Sequence, residues 1–66
     1  MIETKPLTWL QKKREDSELT QEEAASKANV SRTTYASIEQ GYRRPSVPTA
    51  KKIASALNFE WTYFFE

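Results

Sequence analysis

The chain has 66 residues, of which 29% are charged, and its formal net charge at pH 7 is +1. It contains no cysteine and no histidine, which excludes disulfides, thiolate or imidazole metal sites, and acid–base catalysis by imidazole. Its single glycine rules out a glycine-rich loop that holds a phosphate group. We therefore expect one small domain over residues 1–66 that has no cofactor and is not an enzyme.

Hydrophobicity along the chain gives an expectation about location. No run approaches the roughly 20 apolar residues of a membrane span, and the first ten residues, MIETKPLTWL, lack the apolar centre of a signal peptide. We therefore expect a soluble cytoplasmic protein without a membrane partner.

The first predicted element is a helix over about residues 6–16. Pro6 suits the first turn of a helix, where its missing N–H group is not needed. Leu7, Leu10 and Arg14 then fall on one helical stripe, which indicates the side that packs against the rest of the domain.

The next two predicted helices, about residues 21–28 and 32–40, are separated by a very short turn. Thr20 can cap the first of them while Glu23 reaches back, which is the pattern of a capping box. Asn29 tolerates the left-handed backbone that a sharp turn needs. Two short helices joined in this way are typical of a helix-turn-helix, whose second helix can lie in a DNA major groove.

The last two predicted helices complete an all-α chain. Ser46 can cap a fourth helix that ends near Asn58, and a fifth short helix covers about residues 60–65. Of the aromatic residues near the C-terminus, we expect Phe59 and Phe64 in the core. A domain this small cannot bury every ring, and exposed apolar surface usually marks an interface.

The outer side of the third helix carries short polar side chains, because Tyr35 and Ile38 point inward together. Arginine can bind guanine through two hydrogen bonds, serine and threonine bind several bases, and methyl groups can contact thymine. A merely solvated helix surface usually carries Glu and Lys instead. We therefore predict that base contacts come from Arg32, Thr33, Ala36 and Ser37, with Gln40 as a further candidate.

Candidate phosphate contacts surround this helix. Residues 31–66 hold five basic and three acidic side chains, whereas the chain as a whole is nearly neutral. Gln21 opens the second helix, where the positive end of the helix dipole favours an anion. Arg43 and Arg44 lie in the loop after the third helix and can neutralise phosphates. Tyr42 either donates its hydroxyl to a phosphate or packs its ring on the fold.

These segments together resemble the Cro/repressor-type helix-turn-helix family, the xenobiotic-response-element-like regulators of bacteria and their phages. The resemblance is carried by Arg14 followed by residues 19–23, by residues 25–32, and by the loop and helix at 41–54. It implies a compact five-helix, lambda-repressor-like fold in the bacterial cytoplasm or nucleoid. It also implies a Cro-like repressor that binds a palindromic operator in double-stranded DNA as a homodimer, without a small-molecule ligand.

The resemblance also implies roles for individual residues. Arg32, Thr33, Ala36 and Ser37 occupy the positions that usually face bases, and Gln21 the position that usually contacts a phosphate. Arg14 and Glu39 match a pair that bridges the first helix and the end of the third. The expected dimer interface comprises Asn58, Trp61 and Phe65.

Two other functions compete with that of a repressor. The same fold can serve as a scaffold for protein contacts, as in an antirepressor or a bridging factor, and the third helix should then be apolar or acidic. The chain can also be the DNA-binding antitoxin of a toxin–antitoxin pair, with Trp61 and Phe65 contacting the toxin.

Overall fold

The computed structural model describes residues 6–66 as an all-α domain, so residues 1–5 of the expected domain lie outside the described residues. Four α-helices are formed: α1 at Thr8–Asp16, α2 at Gln21–Lys27, α3 at Arg32–Glu39 and α4 at Val47–Leu57. A 3-10 helix at Trp61–Phe65 follows. Among the described residues, no helix is long and apolar enough to cross a membrane.

The fifth short helix predicted at about residues 60–65 is present as a 3-10 helix that begins one residue later, at Trp61. It has only five residues, its N-cap residue Glu60 makes no side-chain capping bond, and the amide of Tyr63 donates to the carbonyl of Glu60 at 3.0 Å. A segment this short gains few i→i+4 bonds, so the tighter i→i+3 pattern replaces them.

Local sequence signals account for the ends of the central helices. The Thr20 hydroxyl accepts from the Glu23 amide at 3.1 Å, and the Glu23 carboxylate accepts from the Thr20 amide at 2.9 Å, so the predicted capping box is present. Asn29 and Asn58 adopt left-handed backbones with φ of 59° and 64°, as their positions after α2 and α4 require.

The first helix begins at Thr8 instead of Pro6, and Leu7 is its N-cap residue. The amide of Leu7 donates to the carbonyl of Glu39 at 2.8 Å, and the Leu7 backbone has a non-helical ψ of 82°. This bond attaches the start of α1 to the end of α3.

The core lies where α2 packs between α3 and α4. Ala24 and Ala25 on α2, and Ala28 directly after it, are buried, and their small side chains allow the neighbouring helices to approach closely. The largest fully buried side chains are Leu10, Tyr35, Ile38 and Ile53. Burying one large apolar side chain stabilises a fold by about 1.5–3 kcal/mol, so these four residues dominate the core of this short chain.

An aromatic cluster attaches the 3-10 helix to α1. Trp9 stacks on Tyr63 with ring centroids 4.5 Å apart, and it meets Phe59 and Phe64 edge-on at 5.5 and 5.1 Å. Phe59 and Phe64 are half-buried against the core. The amino group of Lys13 lies 5.4 Å from the Phe59 ring centroid and 5.3 Å from that of Tyr63.

Candidate nucleic-acid interface

The outer side of α3 holds the four residues predicted to contact bases. Arg32 and Thr33 are exposed, Ala36 and Ser37 are half-buried, and Gln40 is exposed at the end of the helix. Tyr35 and Ile38 are fully buried on the opposite side. Three of the four side chains, those of Thr33, Ala36 and Ser37, are short, so a DNA groove can approach the α3 backbone closely. Arg32 is the one long side chain of the four.

Gln21 and Arg32 lie next to each other, one at the start of α2 and one at the start of α3. Both line a surface depression that also contains Arg14, Thr20 and Glu22. The Gln21 amide nitrogen donates to a carboxylate oxygen of Glu39 at 3.1 Å. An amide nitrogen carries two protons, so this bond orients the Gln21 side chain and leaves one donor for another partner.

Arg14 and Glu39, the pair expected to bridge α1 and the end of α3, form an ion pair. Arg14 Nε and Nη2 donate to the two carboxylate oxygens of Glu39 at 3.0 and 3.3 Å, and Nη1 donates to the Leu19 carbonyl at 2.8 Å. Glu39 is only 5% exposed. Arg14 is therefore committed to contacts within the fold, while Glu39 connects α1, α2 and α3.

Electrostatics around Glu39 perturb two neighbouring groups. The hydrogen bond to Glu39 holds the pKa of Arg14 above its ordinary value, although partial burial opposes this shift. Burial raises the pKa of Tyr35, and the negative charge of Glu39 raises it further. Arg14 therefore stays cationic and Tyr35 stays neutral beside the Glu39 carboxylate at physiological pH.

The loop after α3 is held against that helix by its backbone and by one side chain. The amides of Tyr42 and Arg43 donate to the Ser37 carbonyl at 2.9 and 3.3 Å. Arg43 Nη1 donates to the hydroxyl of Thr34 at 3.2 Å. Tyr42 is 69% exposed, so its ring extends into solvent and is not packed on the fold. The backbone of Tyr42 and the guanidinium of Arg43 thus lie beside α3.

The second loop arginine lies near the aromatic end of the domain. Arg44 is exposed, and its guanidinium carbon is 6.0 Å from the ring centroid of Phe65. Phe65 is 40% exposed and meets the half-buried Trp61 edge-on at 6.0 Å. Asn58 is exposed where it ends α4. Trp61 and Phe65, both predicted at a dimer interface, therefore share one surface patch.

Thr34 is a residue of this surface that the sequence reasoning missed. Its hydroxyl accepts from Arg43, and it lies 2.8 Å from the hydroxyl of Ser31, the N-cap residue of α3. The signal available in the sequence was the Ser-x-x-Thr spacing at the helix start. Nothing in that spacing indicates that Thr34 accepts a hydrogen bond from Arg43, nine residues further along the chain.

Comparison with known proteins identifies the family of this chain. A model of the helix-turn-helix family HTH_3 matches residues 10–64, which include all four α-helices except the first two residues of α1. An uncharacterised HTH-type transcriptional regulator, YqaF of Bacillus subtilis strain 168, is 50% identical over 58 residues. The match covers 88% of this chain and 76% of that relative. The chain belongs to the Cro/C1-type helix-turn-helix family of DNA-binding transcriptional regulators, which are not enzymes.

Proposed function

We propose that this protein is a sequence-specific repressor that inserts α3 into the major groove of an operator. Arg32, Thr33, Ala36 and Ser37 contact base edges. Gln21 on one side of α3, and the loop residues 42–44 on the other, contact the phosphate backbone. Phosphate contacts set the position of the helix, while base contacts supply the specificity.

The observation that carries this proposal is the arrangement of donors around the outer side of α3. Gln21 shares a depression with Arg32 at the start of that helix, and Arg43 bonds to Thr34 in the first turn of the same helix. Short polar side chains occupy the space between these long donors. A helix surface flanked in this way suits a groove bordered by two phosphate backbones.

We further propose that the protein binds as a two-fold dimer through Asn58 and the surface patch of Trp61 and Phe65. The partly exposed rings of Trp61 and Phe65 supply apolar contact area. Lys51 lies over Trp61 at 5.2 Å, and the acidic Glu60 and Glu66 border the 3-10 helix, so opposite charges are available to a second copy. A dimer of this kind presents two α3 helices to half-sites about 34 Å apart, which matches a palindromic operator.

Selection from a random duplex library, sequenced at two salt concentrations, tests the proposed function. We expect an enriched inverted repeat whose half-sites are one helical turn apart. Failure to enrich any sequence, with weak and salt-insensitive binding, would contradict the proposal and favour a scaffold for protein contacts, as in an antirepressor or a bridging factor. Light scattering on the protein with and without the selected duplex measures the dimer. A reporter promoter overlapping the selected sequence measures repression.

The Arg32→Ala variant tests base readout against simple charge attraction. Loss of a bidentate base contact should cost roughly 1–3 kcal/mol on the selected duplex and relax the preference at one operator position. Lys12→Ala, on the exposed surface of α1, removes the same charge away from α3 and is the matched control. An equal loss on selected and scrambled duplexes would make Arg32 a phosphate contact.

A further inference from the structure

We infer that Thr34 is a positioning residue that aims the guanidinium of Arg43 at the DNA backbone. This inference rests on the proposed function, because it needs Arg43 to contact a phosphate. Thr34 itself is half-buried in the first turn of α3 and is not one of the residues we assign to base contacts.

The hydroxyl of Thr34 is fixed by two neighbours. The Thr34 amide donates to the Ser31 hydroxyl at 3.1 Å, and the Ser31 hydroxyl donates to Thr34 Oγ1 at 2.8 Å. Arg43 Nη1 donates to the same oxygen at 3.2 Å. A hydroxyl oxygen has two acceptor lone pairs, so both are used and the acceptor cannot turn away from Arg43.

The backbone of Arg43 is held by the same helix. Its amide shares the Ser37 carbonyl with the amide of Tyr42. Both ends of the arginine are therefore attached to α3, the backbone at Ser37 and the guanidinium at Thr34. A guanidinium has five N–H donors, so four remain after the bond to Thr34. Those donors therefore have a fixed position relative to α3, the helix whose side chains we propose contact the bases.

Fixing a long side chain before binding removes part of the entropy cost of binding. Ordering one flexible side chain at an interface weakens binding by roughly two- to tenfold, which is the gain expected from holding Arg43 in advance. The Thr34 hydroxyl acts only through Arg43, so its removal should have no effect once the arginine is gone.

The chain contains a matched control for Thr34. Ser46 and Thr49 repeat the same Ser-x-x-Thr arrangement at the start of α4, with hydroxyl oxygens 3.1 Å apart and a capping bond from the Thr49 amide at 3.4 Å. Thr49 is half-buried like Thr34, and among residues 6–66 no arginine donates to its hydroxyl. Thr49 lines the same surface depression as Thr34 and Arg43, so a threonine-to-valine change there imposes the same loss of a hydroxyl at a helix start without removing a hydrogen bond from an arginine.

The test measures dissociation constants on the selected duplex at several salt concentrations for five variants: Thr34→Val, Thr34→Ser, Arg43→Gln, the double variant Thr34→Val with Arg43→Gln, and Thr49→Val. Arg43→Gln should reduce the slope of log Kd against log salt by about 0.9, the value for one lost phosphate contact. Thr34→Val should weaken binding by roughly two- to tenfold with a nearly unchanged slope, because the arginine still reaches the phosphate. Thr34→Ser keeps the hydroxyl and should bind like the wild type.

The double variant and the control decide the inference. We expect the double variant to bind no more weakly than Arg43→Gln alone, and Thr49→Val to bind like the wild type. If Thr34→Val weakens binding equally in both Arg43 backgrounds, or no more than Thr49→Val, Thr34 does not position the arginine. A wild-type slope for Arg43→Gln overturns the inference together with the Arg43 phosphate contact. A wild-type protein that binds no duplex refutes the proposed function itself.

Discussion

Replacing Glu39 by glutamine is the sharpest test of how the helices are held together. The Glu39 carboxylate accepts three hydrogen bonds, two from Arg14 and one from Gln21, at 3.0–3.3 Å. Glutamine has nearly the same shape but carries one acceptor oxygen and an amide group that only donates. In the variant, at least one donor faces another donor in a region that is almost completely buried.

The expected cost follows from the charge and burial of this pair. Hydrogen bonds to charged groups contribute about 1.5–3 kcal/mol each, and removing one partner of a buried pair costs about 3–5 kcal/mol. The side chain of Arg14 is 12% exposed, so solvent recovers part of its solvation. We therefore expect Glu39→Gln to lower the free energy of unfolding by about 2–3 kcal/mol. That loss is a large fraction of the roughly 3–10 kcal/mol available to a chain of this length.

Thermal and urea unfolding, followed by circular dichroism at neutral pH, measure this change. For a domain of this size the expected loss lowers Tm by roughly 10–20 °C. The matched control is Glu15→Gln, which removes a carboxylate that accepts from Gln11 at 3.3 Å on the exposed surface of α1. This control should change stability by less than about 0.5 kcal/mol.

A double-mutant cycle with Arg14→Met identifies the source of the loss. If Arg14 and Glu39 act through each other, the double variant Arg14→Met, Glu39→Leu should lose markedly less unfolding free energy than the summed losses of the two single variants, Arg14→Met and Glu39→Leu. Additive losses would mean that the two residues stabilise the fold independently. A Glu39→Gln variant as stable as the Glu15→Gln control would refute the reasoning entirely.

Two further predictions concern the start of α2 and the buried tyrosine. Thr20→Ala removes the acceptor for the Glu23 amide and should lower the free energy of unfolding by about 1 kcal/mol, measured by urea unfolding; an unchanged midpoint would show that the capping box does not stabilise α2. The pKa of Tyr35 is higher in the folded state than in the unfolded chain. The stabilisation that neutral Tyr35 gives the fold is therefore intact below pH about 10 and is lost at higher pH. The stability of the wild type should therefore fall between pH 9 and 11 more steeply than that of Tyr35→Phe (about 10 being the ordinary tyrosine pKa), and parallel pH profiles would contradict this.

Much of the fold was predictable because its signals are local. Thr20 and Glu23 are three residues apart, and Asn58 is next to the helix that it ends, so each signal and its effect lie within one turn of the chain. The inward side of α3 followed from the spacing of Tyr35 and Ile38. Those two residues also determine which side chains of α3 point outward, so the candidate surface was accessible to the same reasoning.

The contacts that link separate elements were not predictable from local spacing. Gln21 lies 18 residues from Glu39, and its hydrogen bond depends on how α2 packs against α3. The bond between Arg43 and Thr34 depends on the path of the loop after Gly41. The pairing of Arg14 with Glu39 was expected only through the family resemblance, since no helical period connects residues 25 positions apart.

The same carboxylate joins stability to the proposed DNA contacts. Glu39 orients the Gln21 side chain and, through Arg14, attaches α1 to the end of α3. A change at Glu39 should therefore alter DNA binding even where the domain remains folded, because it frees the Gln21 amide. Arg43 is oriented by Thr34 on the opposite border, independently of Glu39. If α3 reads the operator as we propose, the phosphate contacts of Gln21 and Arg43 are held by separate hydrogen-bond networks, and variants at Glu39 and Thr34 should weaken binding additively.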